Sequence, residues 1–414
     1  MNLTILNAGQ NYYIRGGSDR YQFALSELLR DRGHQTIPFA AANPKNQPTQ
    51  WSGYFPPGVN FDRPTPGDLM RFIYSKSAAR SMERLLEENS INIAHLHIYY
   101  GQLTSSILAP LKKAGIPIVQ TLHEYKIVCP VYTLLSNGEI CQECQGNAFW
   151  KATVKKCNRN SLARSILSTV ESYVSKWLGS VDRVDRFIAV SHFQREKLIE
   201  LGVPAEKITA VHNFIDASEI EVNSEPGEYF LYFGRLESYK GLFTLIEAAS
   251  SLQDIPLLIV GDGEARSQIE QLIEQKDLKH VKLLGFKQKE ELHRLISNSI
   301  CTISPSQWYE TFGLTLIESF ARGRPAIASS IGGMTEIVTD GVDGYLVSPG
   351  DAEKLRSRMV SMAKHRRQAV DMGLAGRRKV ETQFNSENHY QKVMEVYQKL
   401  LSSRSKNIAK LQNI

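Results

Sequence analysis

The run Ile300-Cys301-Thr302-Ile303 stops abruptly at Ser304-Pro305-Ser306, which reads as a buried strand closed by a turn. A short loop carrying Glu310 follows. Thr311-Phe312-Gly313-Leu314 then opens an apolar helix that carries Glu318. A buried strand that passes through a loop into an apolar helix belongs to a parallel sheet covered by helices. Seven residues separate the two glutamates. With Glu310 closing the loop and Glu318 about two turns into the helix, both face one crevice at the C-terminal end of the strand. The N–H groups of Phe312, Gly313 and Leu314 lie at the helix start, where they and the helix dipole favour an anion. Most glutamates are simply solvated, but Leu314, Leu316, Ile317, Phe320 and Ala321 surround Glu318 with apolar side chains. A carboxylate in that setting is costly without a partner. Phosphate at the helix tip and hydroxyls on the carboxylates would suit a nucleotide sugar.

The same unit recurs elsewhere. Asn2–Ala8 reads as a strand, Gly9–Ser18 as a loop with Gly16-Gly17, Asp19–Arg32 as a helix ending at Gly33, and Gln35–Ala40 as the next strand. That is the opening of a doubly wound α/β domain, and the glycines allow close approach of a ligand. The chain has 414 residues, so two domains of about 200 residues each are expected. Residues 1–213 form the first and 228–383 the second, with polar Asn213–Gly227 as linker. His123 lies just past the strand Ile116–Leu122, where such folds place site residues. In the second domain the strand Tyr229–Phe233 leads to Gly234-Arg235 and then Lys240-Gly241. Both cations flank one strand-to-helix loop and can stabilise a diphosphate leaving group; surface charge is the simpler reading of either alone. The backbone of Gly285, Phe286 and Lys287, beyond the strand Val281–Leu284, can read the edge of a base. No GxGxxG fingerprint occurs, which disfavours a dinucleotide-dependent dehydrogenase.

Cys129, Cys141, Cys144 and Cys157 cluster as C-x11-C-x2-C-x12-C, while Cys301 lies in a strand. Clustered cysteines with a CxxC suggest a structural zinc site, with reduced thiols as the alternative. Residues 161–180 place Leu162, Ile166, Leu167, Val170, Tyr173, Val174, Trp177 and Leu178 at helical spacing. A helix turning this stripe into the core is the simpler expectation; an interfacial membrane helix is the other. The segment 151–164 holds five basic residues and no acidic one, and the whole chain carries a net charge of +6. That suits phosphate ligands or an anionic surface and is too weak to argue for nucleic acid. The N-terminus begins as a strand with no signal-peptide pattern, so the expected compartment is the reducing cytoplasm. Residues beyond Ser402 read as a polar, basic tail.

In the first half, Gly16-Gly17, Arg32-Gly33-His34 and Thr121-Leu122-His123-Glu124 carry a family resemblance. In the second half, Gly234-Arg235, Lys240-Gly241, Gly261-Asp262-Gly263, Ser304-Pro305-Ser306, the Glu310/Glu318 pair and Gly332-Gly333 carry it. Taken in order, these motifs resemble the retaining glycosyltransferases of family 4 over nearly the whole chain. The cysteine segment is similar to that of bacterial capsule, O-antigen and exopolysaccharide transferases of this family. The resemblance implies a GT-B fold of two facing Rossmann-like domains, the first binding acceptor and the second the nucleotide sugar, with residues 384–414 as a C-terminal helix crossing back to the first. It implies that Glu318 holds the ribose and Glu310 the donor sugar. Arg235 and Lys240 would neutralise the departing diphosphate in place of a metal. Thr311, Phe312, Gly313 and Leu314, with Gly16, Gly17 and Gly234, would line the donor, and His123 would contact the sugar near the reacting carbon. Glu124 departs from the aspartate more common after that histidine. The implied activity is retaining, metal-independent transfer from a nucleotide-sugar donor to a glycan acceptor, lipid-linked at the inner membrane face. A nucleotide-sugar epimerase of the same fold and a non-catalytic nucleotide-sugar-binding subunit are the alternatives.

Overall fold

The computed structural model describes residues 2–412, with side chains described as far as residue 404. The chain divides into two compact units, Met1–Val211 together with Tyr390–Ile414, and His212–His389.

The first unit carries β1 Thr4–Ala8, β2 Gln35–Phe39, β3 Ile93–Leu96, β4 Ile118–Leu122, β7 Arg186–Ala189 and β8 Ile208–Ala210, with a small hairpin of β5 Leu135–Ser136 and β6 Glu139–Ile140. Six of these strands form one parallel sheet in the order β2-β1-β3-β4-β7-β8. Ile5, Leu6, Ile93, Ala94, Ile118, Val119, Phe187 and Ile188 are fully buried, as strands covered on both faces require. The helices are α1 Gly17–Asp31, α2 Pro66–Ile73, α3 Lys76–Glu88, α4 Leu108–Lys113, α5 Trp150–Val154, α6 Leu162–Trp177 and α7 His192–Glu200. Their starts follow local chemistry. Thr65 and Asp68 form a capping box ahead of α2, while Ser75, Ser161 and Ser191 cap α3, α6 and α7.

The expectation that α6 turns its apolar stripe into the core is reversed. Leu162, Ile166, Val170, Tyr173 and Trp177 are exposed, and Leu167, Val174 and Leu178 are half-buried. The buried face is Ser165, Ser168, Thr169, Glu171, Ser172 and Ser175. Spacing gave the stripe correctly, but periodicity alone does not say which side faces in.

The second unit carries β9 Tyr229–Phe233, β10 Leu257–Val260, β11 Val281–Gly285, β12 Ser299–Ser304, β13 Ala326–Ser329 and β14 Gly344–Val347. They form a parallel sheet in the order β11-β10-β9-β12-β13-β14. Around it lie α8 Leu242–Ala249, α9 Arg266–Gln275, α10 Lys289–Ser297, α11 Leu314–Phe320, α12 Ala352–Lys364 and α13 Arg366–Gln383. One core joins Phe230, Ile246, Ile259, Ile300 and Ile327 to Leu355 and Met359 of α12. Residues 213–227 lack regular structure but are tied down, since Arg377 donates to the carbonyls of Ala217 and Ile220 and Asn223 donates to that of Ser297. The final helix, α14 Ser386–Gln412, hydrogen-bonds into the first unit, with Tyr390 on His34 at 2.9 Å and Tyr397 on His95 at 2.5 Å. The tail expected beyond Ser402 lies, for the side chains of residues 405–414, outside the described residues.

Both units are doubly wound sheets of the Rossmann type, and together they make the GT-B fold. In each, the strand order reverses once, between β1 and β3 and between β9 and β12. Open α/β sheets bind ligands at the carboxyl ends of the strands that flank such a point.

Candidate functional site

In the second unit the loops after β9 and β12 meet at the switch point. Gly241 has φ +73, and a Cβ there would lie 1.8 Å from the carbonyl oxygen of Pro305. Only glycine fits, so the two loops close on each other. The Gln307 amide donates to the Tyr239 carbonyl at 2.8 Å across the same seam. Lys240 Nζ then reaches Glu310 Oε1 at 2.5 Å, with both side chains largely shielded from solvent. Ser306 Oγ donates to the same oxygen at 2.6 Å, and the Lys240 ammonium lies 5.2 Å from the Trp308 ring centroid. The backbone of Glu310 is also fixed. Its carbonyl accepts the Gly333 amide at 2.8 Å, and Gly332, at φ +65, leaves no room for a Cβ against that carbonyl. Burial raises the Glu310 carboxyl, but the Lys240 charge and the hydrogen bonds outweigh it and hold the group below the usual carboxylate range. Glu310 is therefore an anion prepared to accept hydroxyl hydrogens, and Lys240 a cation held within reach of it.

The other residues expected here are distributed unevenly. Arg235 is exposed and donates to the Tyr239 hydroxyl at 3.2 Å. Gly234 follows β9 and donates to Val260 at 3.0 Å. Gly285 ends β11, and Phe286 just beyond it is 72% exposed, unusual for a phenylalanine without something to lie against it. Thr311 and Gly313 are half-buried ahead of α11, while the Phe312 ring is buried, 5.8 Å from the rings of His212 and Phe384. The Phe312 side chain thus serves packing, and only its backbone remains for a ligand. Glu318 is the fifth residue of α11, which begins at Leu314. It stands one turn into the helix, not two, and is half-buried.

In the first unit His123 follows β4 and meets two histidines that the sequence reading did not single out. His95 and His97 alternate at the end of β3 and stack with ring centroids 4.7 Å apart. His97 Nδ1 lies 3.2 Å from His123 Nε2, and His95 bonds Thr121 at 2.7 Å. Tyr21 of α1 packs edge-on to His123 at 5.0 Å. Burial pushes His123 down to about 3. Burial, with His95 and His123 beside it, holds His97 well below the ordinary histidine range. His123 is thus a neutral, oriented imidazole, suited to hydrogen bonding rather than to carrying charge. The signal for its partners was present as His95-x-His97 on one strand, where alternate residues share a face.

Gly17 is the first residue of α1, two positions earlier than expected, and Gly16 is its N-cap. The amides of Arg15 and Gly16 both donate to the Asp19 carboxylate at 3.0 Å, so the Gly16 amide is committed within the chain. The buried Asp19 carboxyl is itself raised by burial, against those hydrogen bonds.

The four clustered cysteines stand near one another. Cys144 is pushed up to about 12 by burial and then by Cys129, Cys157 and Cys141. Their sulfurs nonetheless are not among the described side chains that bring three ligand atoms within 4.8 Å. Tetrahedral zinc with bonds of about 2.3 Å needs sulfurs about 3.8 Å apart. The arrangement is a cluster of thiols and does not fit a bound zinc as it stands.

The chain matches two family signatures in tandem: Glycosyltransferase Family 4 over residues 15–219 and Glycosyl transferases group 1 over residues 214–379. It is 30% identical to the amylovoran biosynthesis glycosyltransferase AmsK of Erwinia amylovora, over 51% of this chain and 56% of that one. It is 24% identical to the phosphatidyl-myo-inositol mannosyltransferase of Mycobacterium leprae, over 96% of both. The solved structure of Anabaena HepE in complex with UDP and glucose superimposes with a TM-score of 0.68 at 18% identity, covering 95% of this chain and 99% of that one. The two signatures, the tandem Rossmann-type sheets and the loops gathered at the second switch point agree, and the chain belongs to the family 4 glycosyltransferases.

Proposed function

We propose that this chain moves a sugar from a nucleotide-sugar donor to a glycan acceptor, lipid-linked, with retention at the anomeric carbon and without a catalytic metal. The observation that carries the reading is the Lys240–Glu310 pair at the second switch point, 2.5 Å apart. A diphosphate leaving group needs positive charge, and the loop after β9 offers Lys240 and Arg235 for it. Sugar hydroxyls need an acceptor anion, and Glu310 is held ionised. Glu318 takes the ribose, and His123 of the first unit serves as a neutral hydrogen-bonding group.

In the transfer, the bond from the anomeric carbon to the diphosphate oxygen breaks, and its electron pair leaves with the nucleoside diphosphate. The acceptor oxygen bonds the same carbon from the same face, and its proton passes to the departing phosphate. Two relatives support this reading: HepE was solved with UDP and glucose, and the mycobacterial relative is named for a lipid acceptor. No helix of the described residues is long and apolar enough to cross a membrane, so a lipid-linked acceptor would be met at a membrane surface.

The test is transfer in the presence of EDTA, with NMR of the product. An α-linked sugar donor giving an α-linked product supports the proposal. A β-linked product, or activity that returns only with added divalent metal, refutes the corresponding part.

A further inference from the structure

A soluble helix normally buries its apolar stripe, but α6 buries its polar one. The inward face is a continuous polar seam. Glu171 is fully buried and pairs with Lys126 at 2.5 Å, and Lys126 also bonds the Ser172 hydroxyl at 3.1 Å. Thr169 bonds Thr153 of α5 at 2.9 Å, Asn158 bonds Ser168 at 2.8 Å, and Ser175 bonds Ser105. These partners fix the rotation of the helix, because turning it over would bury the apolar side chains at the expense of an unpaired charge. The outward arc spans about 80° at 100° per residue and carries Leu162, Ile166, Val170, Tyr173 and Trp177, with Trp177 83% exposed. Next to it α5 exposes Trp150 and Val154, and α2, which packs against α6, exposes Leu69 and Met70. A contiguous apolar face of this kind marks a surface that meets something apolar.

We infer that the outward face of α6, with α5, docks on an anionic phospholipid bilayer. Charge selects this occupant. Lys151, Lys155, Lys156, Arg159 and Arg164 fall within 151–164 with no acidic residue among them; Lys155 is paired with Glu143, and the only acidic residue of α6, Glu171, is buried. A second copy of the same face would set these cations against their own images, whereas anionic headgroups neutralise them. Tryptophans at Trp150 and Trp177 suit the boundary between headgroup and acyl chain. The inference stands apart from the transfer chemistry, because binding to lipid requires neither donor nor acceptor.

The test is flotation of the full chain with vesicles of phosphatidylglycerol in phosphatidylcholine, beside vesicles of phosphatidylcholine alone. The wild type should bind the anionic vesicles and lose binding as salt is raised. The triple variant Ile166→Ser, Val170→Ser, Trp177→Ser should bind about tenfold more weakly or less, and Lys156→Glu with Arg159→Glu should remove the preference for anionic lipid. All five side chains face solvent, so an unchanged thermal midpoint checks that folding is intact. A wild type that stays with the buffer, or a triple variant that binds as well as wild type, overturns the inference. So does a wild-type dimer that the triple variant converts to monomer, since the face would then be covered by a second copy. Quenching of tryptophan fluorescence by brominated acyl chains in the wild type gives a readout that needs no variant.

Discussion

Lys240 and Glu310 lie 70 residues apart in sequence and 2.5 Å apart in the fold. The first belongs to the loop after β9 and the second to the loop after β12, the two strands between which the sheet order reverses. Neither charge is stable there alone. Lys240→Met leaves a shielded carboxylate without its cation and should lower stability by about 3 kcal/mol. The double variant Lys240→Met, Glu310→Gln should recover much of that loss, while both variants abolish transfer. Urea unfolding at pH 7 of these two variants and of Glu310→Gln measures the coupling as a double-mutant cycle; single-variant losses that simply add in the double variant would show that the pair is not energetically linked.

The histidine stack makes a pH prediction with a definite sign. His123 and His97 have depressed folded-state values, so below the ordinary histidine value of about 6.5 the unfolded chain binds protons that the folded chain refuses. Their contribution is intact above that pH and is lost progressively as pH falls toward the folded values. Each can contribute a slope of up to about 1.4 kcal/mol per pH unit in that window. His123→Gln should flatten the decline of the urea midpoint between pH 7 and pH 5, and an unchanged slope would contradict the assignment. The same variant should slow transfer at pH 7, where the imidazole is already neutral.

Gly241→Ala tests the seam between the loops. The added methyl would overlap the Pro305 carbonyl in a backbone conformation that alanine resists. Displacing that loop should cost about 2–3 kcal/mol and should weaken donor binding more than it slows turnover of bound donor. Steady-state kinetics separates the two, and a normal KM would mean that the loop tolerates the shift.

For the cysteines, sulfurs that do not close to zinc-ligand distances predict reduced thiols. Elemental analysis of the purified protein should find well under one zinc per chain, and thiol titration of the unfolded chain should count five cysteines. One tightly retained zinc equivalent would show that the cluster closes on a metal.

Much of this was legible in the sequence because the strands of both sheets are short apolar runs that end in glycine, serine or a charged turn. Tyr229–Phe233 reads with the boundaries the structure shows. The loops that hold Lys240 and Glu310 were legible for the same reason, since each follows a recognisable strand. What sequence could not supply was direction and contact. The stripe on α6 has the correct period, yet its orientation is decided by Lys126, Asn158 and Ser105, which lie outside the helix. His95 and His97 look like ordinary strand residues until β3 and β4 are paired and His123 comes alongside. The role of Gly332 in bracing Glu310 likewise depends on a contact between separate loops. Glu318 was placed a turn too deep because α11 starts only after Gly313, whose φ of +128 delays the helix.

The central claim is that the second switch point binds a nucleotide sugar through Lys240 and Glu310. Its most direct test is the thermal midpoint of the wild type with UDP-, GDP-, ADP- and dTDP-sugars in EDTA, repeated with Glu310→Ala. A ligand at a hundred times its dissociation constant adds about 2.7 kcal/mol to the stability of the folded chain. The account predicts a clear rise for one nucleotide in the wild type and a much smaller one in the variant. A folded wild type that responds to none of them, or a variant that responds as strongly as wild type, would contradict it.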